Sequence, residues 1–399
     1  MNQSEQPWLV AVSAGRWQKK GIQAAIDAGI RVFALDGDDL AEGFELATKY
    51  AVVDICDPQA VLEAVKASDV QPDGVISFSS EVGMPAAALL REHYGLAGPN
   101  IEVTNALLNK TKQREKWQKT DVPGPHWRAF TSFEDALVHV AEIGYPCVVK
   151  PSDSGGSRGV SKLDSQEDLA AAVQDALEAS RSNQGIIESF MNGIEYTVET
   201  FGDGLTVHVL AVTEKGKVPG KEMVAQQLAT PEEEKKADIV AAVAVDSLCA
   251  LDYMSGPGHT EIILDDDGIA RLVEAAGRGG GFMVFDQLVE KASGYDIVTA
   301  TAVQAVGQVP AMIQIQKTAV TLRFFPSKEG VVTKIEGFSE ANLIPGVDAG
   351  AFVKLGEQVG VVRGDGDRLG YILSTGSTPA EARTKAAQAE SLIQIDVAV

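Results

Sequence analysis

Short apolar runs alternate with amphipathic stretches across residues 8–95. Trp8–Val12 and Arg31–Leu35 read as strands, with a helix over Gln18–Ala28 closing at Gly29 between them. Ala51–Asp54 and Gly74–Phe78 read as two further strands, with helical patterns between and after. This order predicts a parallel, doubly wound sheet. Its first turn, Ser13-Ala14-Gly15-Arg16, lacks the G-x-G-x-x-G spacing of a dinucleotide site, and Asp36 at the end of the second strand reads as a turn residue.

A basic helix is expected over Asn105–Thr120, followed by a break at Pro123 and Pro125. Beyond the break the pattern predicts a helix over Ser132–Ile143 opened by a Ser132/Asp135 capping box, and a strand over Cys147–Lys150. A glycine-rich loop, a short strand, a helix from Glu167 to Ser180 and a strand at Ile186–Glu188 come next. Gly202-Asp203-Gly204 joins two strand-like runs as a hairpin. Thr230, Pro231 and Glu233 carry the cues of a capped helix start. After about Val309 the chain turns to β-branched runs, with strands expected at Thr321–Phe325, Gly330–Ile335, Gly360–Arg363 and Gly370–Ser374, and a closing helix over Pro379–Ile393. The expected division is residues 1–108, 109–310 with a subdomain near 125–187, and 311–399.

Composition narrows the function classes. The 399 residues carry 34 Lys+Arg against 56 Asp+Glu, a net charge of −22 that repels nucleic-acid backbones. A mononucleotide remains compatible, since it needs only a local nest of donors and a metal. Cys56, Cys147 and Cys249 form no CxxC, which argues against a zinc site or disulfide framework. The N-terminus shows no signal-peptide pattern, and Ile239–Leu251 is too short to span a bilayer. The expectation is a cytoplasmic protein with no membrane or nucleic-acid partner.

Four constellations carry chemistry. Ser152–Gly159 packs three glycines and three serines into eight residues between two strands, directly after Lys150. Such a loop turns successive amides towards an anion and is flexible enough to act as a lid. Its candidate ligands are Ser154, Gly155, Gly156 and Ser157. Next, two strand-like runs flank Asp265-Asp266-Asp267-Gly268. If Asp267-Gly268 is a two-residue turn, Glu261 pairs with Glu274 across the ribbon. Opposed like charges are destabilising, and a bridging divalent cation offsets the repulsion. Third, Arg278 lies four residues after Glu274 within a run ending Gly279-Gly280-Gly281, placed to hold a phosphoryl group or a carboxylate. Fourth, Glu188 to Glu195 at a strand end offers backbone groups for a purine and a carboxylate for ribose.

In this order the pieces resemble the ATP-grasp superfamily over nearly the whole chain. Lys110 and Arg114 sit in a K-x-x-x-R helix like the family's first lysine, and Lys150 matches the second. Glu188 and Glu195 match the hinge and ribose positions, with Phe190 and Met191 beside the adenine. Glu261 and Glu274 match the metal carboxylates, and Arg278 the phosphate arginine. One position departs, because Ala276 stands where the family has asparagine. The resemblance implies a fold of mixed α/β and α+β class. A Rossmann-like N-terminal domain would precede an ATP-grasp domain with a mobile lid and a small β-rich C-terminal domain. It further implies ATP and Mg2+ (Mn2+ as a substitute) as cofactors. Small-molecule carboxylate and amine substrates, an acyl-phosphate intermediate and a homodimer are implied as well. The C-terminal run from Gly366 to Ala382 looks like the domain shared by L-amino-acid ligases and biotin carboxylases, favouring an L-amino-acid substrate. Lys221, Glu222, His259 and Gly280 are then the substrate candidates. Purine-pathway carboxylases and formate-using enzymes, together with biotin carboxylases, are the competing reading.

Overall fold

The computed structural model describes residues 6–156, 158–362, 364 and 366–398. Ser157 lies outside them, and of Lys221 and Glu222 only the backbone is described.

The chain opens with β1 (Trp8–Val12), β2 (Arg31–Asp36), β3 (Lys49–Val52) and β4 (Gly74–Ile76). They form a parallel sheet in the order β3-β2-β1-β4. The near-continuous burial of β1 and β2 follows from helices covering both faces. Asp36 acts as the turn residue expected of it, accepting from the Ala14 amide at 2.7 Å and the Asp38 amide at 3.0 Å. The carboxyl ends of β1 and β4 feed the segments that bear Trp17 and Glu81.

The single basic helix expected over Asn105–Thr120 is two helices, Ile101–Leu107 and Lys110–Lys119. Asn109 breaks them: its backbone is extended and its side chain accepts from the Lys112 amide, capping the second helix. Lys110 therefore sits at a helix start, and its own amide donates to the Ser152 carbonyl at 2.7 Å.

Next come β5 (Trp127–Phe130), β6 (Cys147–Pro151), β7 (Ser161–Leu163) and β8 (Gly185–Ser189), an antiparallel sheet ordered β5-β8-β6-β7. Helices Phe133–Ile143 and Leu169–Ala179 bury a small core against it. Ser132 caps the first of these, but Asp135 reaches back to Thr131, so only half of the expected capping box forms.

The large sheet contains β9 (Ile194–Asp203), β10 (Val207–Val218), β11 (Lys221–Ala229), β12 (Ser255–Leu264) and β13 (Ala270–Ala276). The helix expected to start at Thr230 begins at Glu234. Thr230 is drawn into the sheet instead, where its amide and hydroxyl pair with Val320. The later strands are β14 (Ala319–Pro326), β15 (Gly330–Glu336), β16 (Val347–Ala351), β17 (Gln358–Val359), β18 (Arg368–Gly376) and β19 (Gln394–Ala398). Three of them extend the central sheet, giving β13-β12-β9-β10-β11-β14-β18-β16, while β17-β15-β19 forms a separate small sheet. Of the strand expected at Gly360–Arg363, Arg363 lies outside the described residues; the observed strand is Gln358–Val359, because its partner β15 begins at Gly330, which already pairs with Val359. No helix among the described residues is long and apolar enough to cross a membrane.

Candidate active site

The central sheet has two chemically opposite faces, set by the alternation of side chains along each strand. Tyr196, Val198, Ile262, Leu264 and Leu272 point one way and pack against the helix Glu234–Ala250 through Val240, Ala244 and Leu248. The register pairs His259 with Glu199 and Glu261 with Thr197 on one side, and Glu261 with Glu274 on the other. Paired residues share a face. Glu195, Thr197, Glu199, His259, Glu261 and Glu274 therefore line one polar surface.

The Glu261–Glu274 pairing arises differently from the expected two-residue turn. Asp265 pairs with Ile269 and Gly268 adopts φ +79°, leaving three residues in the loop. That loop alone would move the register by one, and an irregularity between Glu261 and Ile262 moves it back, with Val273 as the extra residue. The Val273 carbonyl, freed from regular pairing, accepts from Arg114 Nη2 at 2.6 Å.

Each carboxylate on this surface meets a cation. Lys110 Nζ lies 2.9 Å from Glu274 Oε2 and donates to the Ser154 carbonyl at 2.9 Å. Burial alone would lower its ammonium, but Glu274 and, further off, Glu81 outweigh that and hold it above its usual value. Glu261 contacts Lys215 Nζ at 2.7 Å and His259 Nε2 at 3.8 Å. Burial would raise the Glu261 carboxyl, yet Lys215 and His259 hold it well below the carboxylate range. His259 Nδ1 bonds Glu199. Against the lowering effect of burial, Glu199 and Glu261 raise the imidazole to about 10, so it is an imidazolium at neutral pH.

Glu195 gives its two oxygens to Lys215 and Lys217, the latter at 2.9 Å. Glu188 is buried and bonds Arg114 Nε and Lys150 Nζ, each at 2.7 Å, and its backbone is paired within the sheet between Trp127 and Val148, so the expectation that this residue itself meets a purine is not supported by its placement. Phe190 donates its amide to the Pro146 carbonyl, and Lys162 sits 4.5 Å over its ring, beside the half-buried Met191.

The glycine loop folds over this surface. Its base is pinned: the Ser152 amide bonds the Gln184 carbonyl, and Asp153 accepts from Ser180, Arg181 and Ser182. Beyond it, Gly156 and Gly159 take φ +68° each. A Cβ on Gly155 would come within 2.8 Å of Glu81 Oε2, so a side chain there would have to shift the Glu81 carboxylate that holds Arg278. Glu81 in turn accepts from Arg278 Nε at 3.1 Å and Nη2 at 2.6 Å. At Gly280 a Cβ would lie 3.0 Å from His259 Nδ1, and its amide donates to Glu199 at 3.3 Å. The next residues, Phe282 and Met283, hold positive φ of 51° and 70°, strain typical of a functional segment.

The sequence reading missed Glu81, Glu199 and Lys215. Period-two spacing puts Glu199 on the face of Glu195, a signal that was present. Glu81 lies 197 residues from Arg278, and nothing local announces the pair.

The residues fit a magnesium nucleotide. Two opposed carboxylates are the hard oxygen donors that ion prefers. Among the described residues no group of three His, Cys, Asp or Glu is arranged to hold a metal unaided. Ala276, the partner of His259, adds no ligand, so the ion would take its remaining ligands from phosphate and water. The buried Ser154 hydroxyl has no hydrogen-bond partner among the described residues, which leaves it able to donate at the loop.

Comparison with known proteins bears on the domains and the fold. Residues 143–286 match the ATP-grasp domain, and residues 323–398 match the L-amino acid ligase C-terminal domain 2. The structure of the L-amino acid ligase from Bacillus licheniformis superposes with a TM-score of 0.85 at 21% identity, covering 99% of both chains. An uncharacterized protein of Sinorhizobium fredii is 29% identical over 77% of this chain, and the N-terminal section of a carbamoyl phosphate synthase large chain from Methanopyrus kandleri 28% over 70%. The chain spans 64% and 52% of the lengths of those two relatives. It carries an ATP-grasp domain followed by a C-terminal domain of the L-amino acid ligase type.

Proposed function

We propose that the chain is an ATP-dependent carboxylate–amine ligase with an L-amino acid among its substrates. The observation that carries this reading is the register pairing of Glu261 with Glu274 on the face shared with His259, with Lys110 held on Glu274 and Arg278 four residues beyond it. The C-terminal domain match supports the amino-acid substrate over the carboxylating and formylating alternatives.

In the proposed reaction a substrate carboxylate oxygen attacks the γ-phosphorus of ATP. The bond to the ADP oxygen breaks and an acyl phosphate forms. The amine then attacks the acyl carbon, phosphate leaves, and the amine nitrogen loses a proton. Catalysis of the first step is mostly positioning and charge neutralisation. Lys110 and Lys150 hold phosphate oxygens from opposite sides of the loop base. The Ser154 hydroxyl and the amides of Gly155 and Gly156 close over them and exclude water. Phe190 and Met191 border the purine, and Glu195 faces the ribose. Glu261 and Glu274 would hold magnesium, which when bound neutralises charge on the phosphates. Arg278, steered by Glu81, stabilises charge on the transferring group. His259 and Gly280, joined through Glu199, border the acceptor, and the strand bearing Lys221 and Glu222 closes the far side.

The test is ADP and phosphate release from ATP across a panel of amino acids, singly and in pairs, with bicarbonate and formate as further arms. Amide product from an amino-acid pair is expected. Stimulation by bicarbonate alone, with no amide formed, would replace this reading with a carboxylating one.

A further inference from the structure

Away from the nucleotide face, the first domain meets the central sheet around a cavity of about 250 Å³. Its walls come from the end of β4, the helix Met84–Tyr94, the loop Ala97–Pro99, the start of β12 and the helix Ile297–Ala305. None of Lys110, Lys150, Glu188, Glu261 or Glu274 lines it.

Its wall contains one basic side chain, Arg91, which is 7% exposed. Nε donates to the Pro99 carbonyl at 3.1 Å and Nη1 to the Val75 carbonyl at 3.3 Å. Nη2 donates to no protein atom among the described residues, and no carboxylate there pairs with this guanidinium. Carbonyl oxygens satisfy hydrogens but do not cancel a charge, and burying an unpaired charge is costly. The environment registers the cost: burial pulls the guanidinium down to about 10. The absence of an acid is notable in a chain with 56 Asp+Glu. Among the described residues Asp203 is the one acid in the wall, and its oxygens are already taken by the Leu205 and Thr206 amides and by His208. The loop is shaped to the arginine, since a Cβ on Gly98, at φ +120°, would fall 2.8 Å from Arg91 Cδ.

We infer that this cavity is a binding site for a small oxyanion, a carboxylate or a tetrahedral phosphate-like group, whose charge Arg91 neutralises through its free Nη2. The neutral hydrogen-bonding side chains Ser77, Ser255, Gln304 and Gln308 line the rest of the space. The cavity also borders the catalytic segments from behind. Ser77 and Met84 bracket the turn that presents Glu81, and Gly277 immediately precedes Arg278. An occupant there touches the two pieces of backbone that bring Glu81 and Arg278 together.

The test uses the full chain with selenate, phosphate and acetate as probes. Selenate-soaked crystals are expected to show an anomalous peak within hydrogen-bond distance of Arg91. In solution, each anion's increment in melting temperature is compared between wild type, Arg91→Gln and Gln308→Glu. Anions that bind the nucleotide face raise all three alike, so the difference isolates the cavity. Arg91→Gln should weaken the cavity component by about tenfold or more, as expected for a lost charged hydrogen bond. Gln308→Glu, at an exposed rim position, should weaken it a few-fold while leaving Arg91 in place, which keeps the test decisive if the first variant folds poorly. The preference between acetate and the tetrahedral ions identifies the ligand class. Equal increments in all three proteins, with no anomalous peak in the cavity, would make Arg91 a purely structural tie and overturn the inference.

Discussion

Two lysine–glutamate pairs lie at the same glycine loop, Lys110 bonded to its Ser154 carbonyl and Lys150 in the strand that leads into it, and behave in opposite ways. Lys110 with Glu274 is partly open, with side chains 12% and 22% exposed, and its ammonium is held above the usual value. Lys150 with Glu188 is sealed at 6% and 3%, and its ammonium is pulled below. Burial acts against both lysines, so the difference lies in the charge count. Lys110 faces Glu274 and Glu81. Lys150 shares the single carboxylate of Glu188 with Arg114. The first pair is a balanced contact on the polar face proposed to hold the reacting groups. The second is a cation-rich knot under the glycine loop, where one carboxylate holds two elements of the fold and an incoming anion would relieve the excess charge.

Removing the shared carboxylate is the harshest way to break this comparison. Glu188→Gln leaves Arg114 and Lys150 buried without a counter-charge, and losing one partner of such a network costs about 3–5 kcal/mol. A large drop in the denaturant midpoint is expected, with strands β5 to β8 losing amide-exchange protection first. Unchanged stability would mean that Glu188 is a ligand-facing group after all. Glu274→Gln should do the converse. Turnover should fall by at least about 100-fold, since a charge-stabilising group is lost, while the midpoint barely moves. A variant that keeps wild-type turnover would remove Glu274 from the proposed chemistry.

Lys150→Met sharpens the same contrast with a smaller effect. It deletes the surplus cation and leaves Arg114 balanced against Glu188. The melting temperature should hold or rise by a few degrees, because an apolar replacement for a buried charge is often neutral or stabilising. Nucleotide affinity, followed by calorimetry with ADP, should fall. A marked loss of stability would show that Lys150 contributes to the fold as much as Glu188 does.

How far this could be read from the chain depends on distance along it. The glycine loop, Lys150 before it and Arg278 after Glu274 are local patterns, and local spacing carried them. The pairing of Glu261 with Glu274 came out of a turn that does not form. A three-residue loop and the extra residue at Val273 displace the register in opposite senses, so the count survives although its premise does not. Asn109 carried a capping signal inside a run that otherwise reads as one helix, and the basic pattern masked it. Glu81, Glu199 and Lys215 contact the site across 197, 60 and 46 residues. Their roles follow from sheet order and from how the first domain meets the central sheet, neither of which is written in a local pattern. For the same reason, the continuation of the central sheet into β14, β18 and β16 was invisible to a reading that placed a boundary at residue 311.

The smallest expected effect concerns His259, which faces a carboxylate on each side. Its ring is more than usually basic because Glu199 holds Nδ1 and Glu261 lies near Nε2, together outweighing burial. In the metal-free protein its 15N resonances should therefore stay those of an imidazolium through neutral pH and change only near about 10. Glu199→Gln should bring that transition down towards the ordinary histidine range near 6.5. The linkage has a definite sign. A group whose pKa is raised on folding stabilises the folded state fully below its unfolded pKa, and the contribution fades as pH climbs to the folded one. The stability gap between wild type and Glu199→Gln should thus be widest below about pH 6.5 and shrink towards about pH 10. A gap that grows with rising pH, or a wild-type ring that titrates near 6.5, would mean that His259 is neutral and that Glu199 is held chiefly by the Gly280 amide.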